Sequence, residues 1–314
     1  MLHKILTSSG KLFRNRNFIL LLAVALGLAM GQQAASITEP TVLPLLALVM
    51  CLSAIDVTTR ELISLRTVRG PAAYSLLLNY VVLGGAILLL AWWLIPEEEI
   101  WIGFVVLAAV PPAPAVVPFT YSLGGDTRFS LIGMTAAYLA ALVILPAAMV
   151  LFLGLELFNP WKVLLIIAEL IIIPVVVSRI LLFTGLARRI LPFRGTIVNW
   201  SFFLITFTLI GLNRQAFFGE FDVLLRIAII AVAISFVLSY VLELIGKALH
   251  LRRETVISII FMGTLKNYVL AGGILLALFT NRSVIPVSVC LVFGIFTFVW
   301  LGFHLRQKVP KPVK

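Results

Sequence analysis

Apolar residues in this chain arrive in blocks of about 20, separated by short polar stretches. A block of that length crosses a hydrocarbon layer of roughly 30 Å as a helix. In lipid only helices and closed barrels satisfy every backbone group, and a helix does so on its own. Blocks fall near 18–36, 40–57, 71–95, 100–123, 129–155, 161–185, 193–213, 223–249, 255–279 and 284–305. The expectation is an all-α polytopic membrane protein with ten transmembrane helices. Hydrophobic residues make up 62% and charged residues 12% of the chain, with a mean hydropathy of +1.15, an excess that no water-soluble core absorbs. Connections are short throughout, so residues 1–314 read as a single membrane domain. The stretch Phe18 to Met30 follows a basic start without a small-residue cleavage site and is expected to be a retained span.

Charge placement orients the spans. With the N-terminus in the cytoplasm, the inner segments collect Lys4, Lys11, Arg14, Arg16, Arg60, Arg66, Arg69, Arg128, Arg179, Arg188, Arg189, Arg194, Lys247, Arg252, Arg253, Arg306, Lys308, Lys311 and Lys314. The outer ones keep Lys162, Arg214, Arg226 and Arg282 beside the acids Glu97, Glu98 and Glu99. That Lys/Arg asymmetry predicts both termini in the cytoplasm and a multi-pass protein of the cell (inner) membrane. The net charge of +11 is then accounted for by anionic lipid headgroups facing the inner loops, and nucleic acid is not an expected partner. Trp92, Trp93, Trp101 and Trp161 fall at outer span ends, where indoles anchor at the interface. Cys51 and Cys290 lie in apolar segments as packing residues, and no Cys/His spacing suggests a metal or cofactor. No nucleophile–base motif stands out, so an enzyme is not expected.

Two spans break helix rules at mid-membrane. Pro111-Pro112-Ala113-Pro114-Ala115-Val116-Val117-Pro118 lies halfway along the fourth block, where missing N–H donors and ring clashes forbid a continuous helix. The ninth carries Phe261-Met262-Gly263-Thr264-Leu265-Lys266-Asn267-Tyr268 near its midpoint. A charge at the bilayer centre costs at least about 2.5–3.5 kcal/mol, so Lys266 needs a partner or a water-filled cavity. The two breaks are five spans apart, as in an inverted 5+5 repeat, where discontinuous helices cross at the midplane and their termini form an ion or substrate site.

At these breaks the sequence resembles the bile acid:sodium symporter family. The run Thr120-Tyr121-Ser122-Leu123-Gly124-Gly125-Asp126, with Ser130 and Pro146 beyond it, is similar to the family's passage from its fourth helix through a Gly-Asp loop. Gly263-Thr264-Leu265-Lys266-Asn267, followed by Leu270-Ala271, resembles the family's ninth-helix pattern. The resemblance implies a panel of spans 1, 2, 6 and 7 (about 18–57 and 161–213) and a core of spans 3–5 and 8–10 (about 71–155 and 223–305). It implies an organic anion passing between them, from bile-acid-like molecules and sterol sulfates to small carboxylates, usually with sodium. Four family oxygen donors are replaced here: Val116 and Val117 stand for a Ser-Asn pair, Met262 for a Glu and Met134 for a Thr. Lys266 stands for a Gln, while Ser130 and Asn267 are kept. A hard cation loses most of its donors at such a site, so sodium is not an expected partner.

The candidate site therefore comprises Lys266, Asn267, Thr264, Ser130, Pro112, Val116, Val117 and Met262, with Glu169 and Asn79 beside it. Lys266 can be a tethered cation in the place of sodium, a proton-exchanging group, an anchor for an anionic substrate, or half of a structural ion pair. Glu169, taken as the only acid well inside a span, is the expected partner, with its own domain or interfacial water as the alternative. Asn79 aligns with a family Gln near a second sodium site, or is a packing amide. Asn213-Arg214 can meet an incoming anion or remain an exposed loop. The expected function is secondary transport of an organic anion by alternating access, without sodium, with protons as the other candidate coupling ion. The alternatives are a channel and a transport fold that senses or binds lipid without flux.

Overall fold

A computed structural model describes residues 16–55, 65–154, 156 and 159–306. The basic residues Lys4, Lys11, Arg14 and Arg60, and the tail beyond Arg306, lie outside the described residues. The described residues are all-helical, 89% helix with no strand among them. In chain order the helices are α1 (Arg16–Thr38), α2 (Val42–Ala54), α3 (65–94), α4 (Glu98–Ala109), α5 (Val116–Ser122), α6 (Thr127–Leu153), α7 (160–183), α8 (Ala187–Leu212), α9 (Arg214–Gly219), α10 (Phe221–Ala248), α11 (Arg253–Thr264), α12 (Tyr268–Leu278) and α13 (Ile285–Arg306). Seven helices among the described residues are long and apolar enough to cross a membrane, one of them the 37-residue run Phe18–Ala54.

That run folds back on itself. Gly31 adopts φ 74°, ψ −164°, a conformation that costs an L side chain heavily and glycine little. Gly27 before it and Ala35 after it both pack on Gly211 of α8, and the Thr38 hydroxyl bonds that of Thr208 at 2.6 Å. The apolar blocks 18–36 and 40–57 put this turn between residues 36 and 40. Instead Pro40 is accommodated in the first turn of a short 3-10 helix, Glu39–Thr41, where its missing N–H is an orphan anyway, and the reversal moves to Gly31.

Helices α1, α2, α7 and α8 pack on one another, as do α3 to α6 and α10 to α13. Gly133 of α6 sits against Ser75 of α3 so closely that a Cβ on it would lie 1.9 Å from the Ser75 hydroxyl. The outer skin is apolar: Leu89, Trp92, Trp93, Leu139, Leu151 and Phe183 are exposed, as lipid-facing residues should be. Trp161 is exposed too, and Trp101, half-buried, meets the exposed ring of Phe152 edge-on. At one end Arg226 pairs with Glu97 and Asp222, and Arg282 with Glu220 and Glu99. At the other, the Asp126 N–H donates to Glu254 and Arg253 caps the carbonyl of Leu305.

Candidate ion and substrate site

The prolines end α4 as expected. Val110 makes the last helical bond, to Val106, and then takes extended angles; α5 starts six residues later at Val116. Opposite, α11 stops at Thr264, Leu265 is extended, and the Asn267 side chain caps α12 by accepting from the Leu270 N–H at 3.1 Å. The two extended segments cross antiparallel, with Pro112 opposite Lys266 and the Asn267 N–H donating to the Pro111 carbonyl at 3.0 Å. Pro111 and Pro112 have no N–H to return.

Lys266 fills the acceptor-rich space that this leaves. It is fully buried, and its Nζ donates to Asn79 Oδ1 at 2.9 Å, the Ala108 carbonyl at 2.7 Å and the Val110 carbonyl at 3.0 Å. The two carbonyls belong to the end of α4, where no following N–H can reach them, and a cation at a helix C-terminus is favoured by the helix dipole. Three acceptors call for three donors, which the ammonium form supplies. The Tyr80 ring lies 4.9 Å from Nζ, a cation–π distance. Asn79 and Tyr80 both reach Nζ from Leu77–Gly84, a π-helical segment of α3, the kind of local widening that recurs at functional sites. Gly84 lets the Ala108 carbonyl close in, since a Cβ there would stand 3.0 Å from it.

Other expected residues fall into separate positions. Asn267 Nδ2 donates to the Tyr138 hydroxyl at 3.0 Å. Ser130 pairs with Thr120 at 3.0 Å, and Thr264 bonds back to Ile260 of its own helix; neither touches Lys266. Val116 and Met262 are buried apolar packing. Glu169 is not the partner of Lys266: it lies in a π-helical turn of α7, Ala168–Ile172, with its side chain exposed, because that turn directs Leu170 and Ile171 inward instead. Nor is it the only acid within a span. Glu243 of α10 is buried between Lys247 and His304 at 2.7 Å each, a position that its i,i+4 spacing to Lys247 could have signalled. Arg214 donates to the Leu28 carbonyl at 2.7 Å and Asn213 to Leu209.

Beside the crossing runs a cleft in three chambers that all touch Pro114. One of about 270 Å³ is apolar, walled by Met50, Met134, Tyr138, Leu170 and Ile171 with Arg179 at its end. A second of about 380 Å³ holds Val117, Arg16, Arg194 and Asn199. The third, about 80 Å³, lies among Arg16, Thr206, Phe119, Phe202 and Asn267. Among the described residues no acidic side chain lines any of them. The family model described as Sodium Bile acid symporter family matches residues 43–220, more than half of the chain. The chain belongs to the sodium bile acid symporter family. It is thus a multi-pass membrane protein of a transporter family. The matched stretch takes in Asn79 and the whole proline break, and stops short of Lys266. A search among curated proteins finds no match.

Proposed function

We propose that this member of the family is a secondary carrier of an organic anion that supplies its own cation at the helix crossing instead of taking up sodium. The observation that carries the reading is Lys266: its ammonium is held by Asn79, Ala108 and Val110, where the two interrupted helices meet. All three donors are used, so Lys266 acts as a fixed positive charge near the half-helix ends and not as a direct anchor for the anion. A tethered charge is not transported, so the coupling differs from a sodium symporter: the protein is a uniporter or exchanger. Three acceptors around Nζ favour the permanently charged form over the proton-exchanging alternative.

Alternating access is read from the packing: α1, α2, α7 and α8 as the panel, α3 to α6 and α10 to α13 as the core, and the cleft between them as the path. Breaks five spans apart, and π segments in both α3 (Leu77–Gly84) and α10 (Ala233–Val237), support an inverted 5+5 repeat. Arg16, which lines two of the chambers and whose Nε has no hydrogen-bond partner among the described residues, supports an anionic cargo. The basic loops support cytoplasmic termini in the cell membrane. Proteoliposome uptake and counterflow of candidate carboxylates and sterol sulfates, with choline replacing sodium, test the reading. Saturable exchange that is indifferent to sodium is expected; a steep sodium requirement or ohmic channel currents overturn it.

A further inference from the structure

We infer that Arg16 is both the receptor for the anionic head of the cargo and a latch between the two halves of the protein. This rests on the carrier reading above. Arg16 stands at the start of α1 and lines both the 80 Å³ and the 380 Å³ chambers. Its guanidinium carbon lies 5.0 Å from the ring centroid of Phe119 on α5 and 5.0 Å from that of Phe202 on α8. One ring belongs to the core and the other to the panel, so a single cation bridges them. Phe119 is itself fixed by stacking on Phe298.

The bridge is chemically incomplete. Arg16 Nε is shut off from the surface with no hydrogen-bond partner among the described residues. The hydroxyl of Thr206, another residue lining the same small chamber, is also buried and without a partner among the described residues. Native proteins satisfy nearly all such atoms. A guanidinium donor and a hydroxyl on two residues that line one chamber, both without a partner, offer a cradle for a carboxylate, sulfonate or sulfate head. The oxyanion takes the in-plane N–H donors and draws the guanidinium toward Thr206 and off the face of Phe119. Anion binding thereby releases the panel from the core, and an empty carrier stays latched.

The test is thermal stabilisation of the full chain in nanodiscs by decanoate, naphthalene-2-sulfonate and taurocholate, with naphthalene-2-sulfonamide as the neutral twin, since a ligand of the folded state raises its stability by mass action. At least one anion should stabilise the wild type while the sulfonamide does not. Arg16→Gln should weaken that anion's binding roughly tenfold or more, the loss of a charged hydrogen bond. Phe119→Leu should tighten it by about threefold to tenfold, because the competing cation–π contact is gone; a merely structural role for the ring predicts weakening. Undiminished binding by Arg16→Gln overturns the receptor role, and unchanged or weaker binding by Phe119→Leu overturns the latch. A wild type stabilised by none of the three anions instead refutes the anion-carrier reading itself.

Discussion

Lys266, between α11 and α12, and Asn79 on α3 are joined by a 2.9 Å hydrogen bond in the interior of the bundle, where no carboxylate takes part among the described residues. The ammonium is held by an amide, two carbonyls and a ring face. Losing the cation strands all of these acceptors at once. Lys266→Gln should therefore lower unfolding stability by about 2–5 kcal/mol, and Asn79→Leu, which removes one acceptor, by about 1–3 kcal/mol. Lys266→Gln should impair flux without creating a sodium requirement, because Val116, Val117, Met134 and Met262 still offer no side-chain oxygen. Denaturation in detergent and sodium titration of uptake check the two halves; normal sodium-free transport by Lys266→Gln would make the lysine purely structural.

Gly133→Ala is expected to be among the most damaging single changes, since its Cβ would fall 1.9 Å from the Ser75 hydroxyl and 2.5 Å from the Ser75 Cβ. Overpacking of this kind costs typically about 1–3 kcal/mol. The double variant Ser75→Gly, Gly133→Ala should recover much of the loss by exchanging which helix carries the side chain. Expression level and melting temperature of the three proteins would show it; an additive double variant would mean that the helices have room to part.

Gly31→Ala should destabilise by about 1–2 kcal/mol through its positive φ, compounded by the Arg214 side chain 2.8 Å from the added Cβ. Gly195→Ala is the control. It lies within α8 with open space around it and should stabilise by about 0.5–1 kcal/mol.

Orientation is testable by impermeant labelling of single cysteines on a background with Cys51 and Cys290 replaced. A cysteine at Glu98 should react from outside intact cells, and one at Arg188 or Arg252 only after permeabilisation. Reaction of the Arg188 position from outside would invert the proposed topology.

Much of this was legible in the sequence where the physics is local. Pro111, Pro112 and Pro114 remove three N–H donors within four residues, so no helix runs through them in any environment, although α5 resumes already at Val116 and takes Pro118 into its first turn; a lysine a dozen residues from either end of its span must likewise be satisfied somewhere. What stayed hidden depends on which way a helix faces. Glu169 looked like the partner of Lys266 because charge pairing was the only rule available, yet the freed carbonyls of Ala108 and Val110 serve as well, and the π turn around Glu169 sends it outward. Tyr80 went unnoticed because an aromatic in an apolar span carries no signal until its neighbour Asn79 is known to meet a cation. Arg16, at the edge of the first span, read as one more inner-surface charge.

The reversal at Gly31 also bears on how the protein is made. The first two legs form one 37-residue run, turned by a glycine and followed by a short polar stretch, Gln32, Gln33, Ser36, Thr38 and Thr41, with a single charge, Glu39. No bulky hydrophilic loop has to be hauled through the lipid. The pair can enter the bilayer as a preformed hairpin, and its Gly27 and Ala35 then await Gly211, which emerges from the ribosome long afterwards.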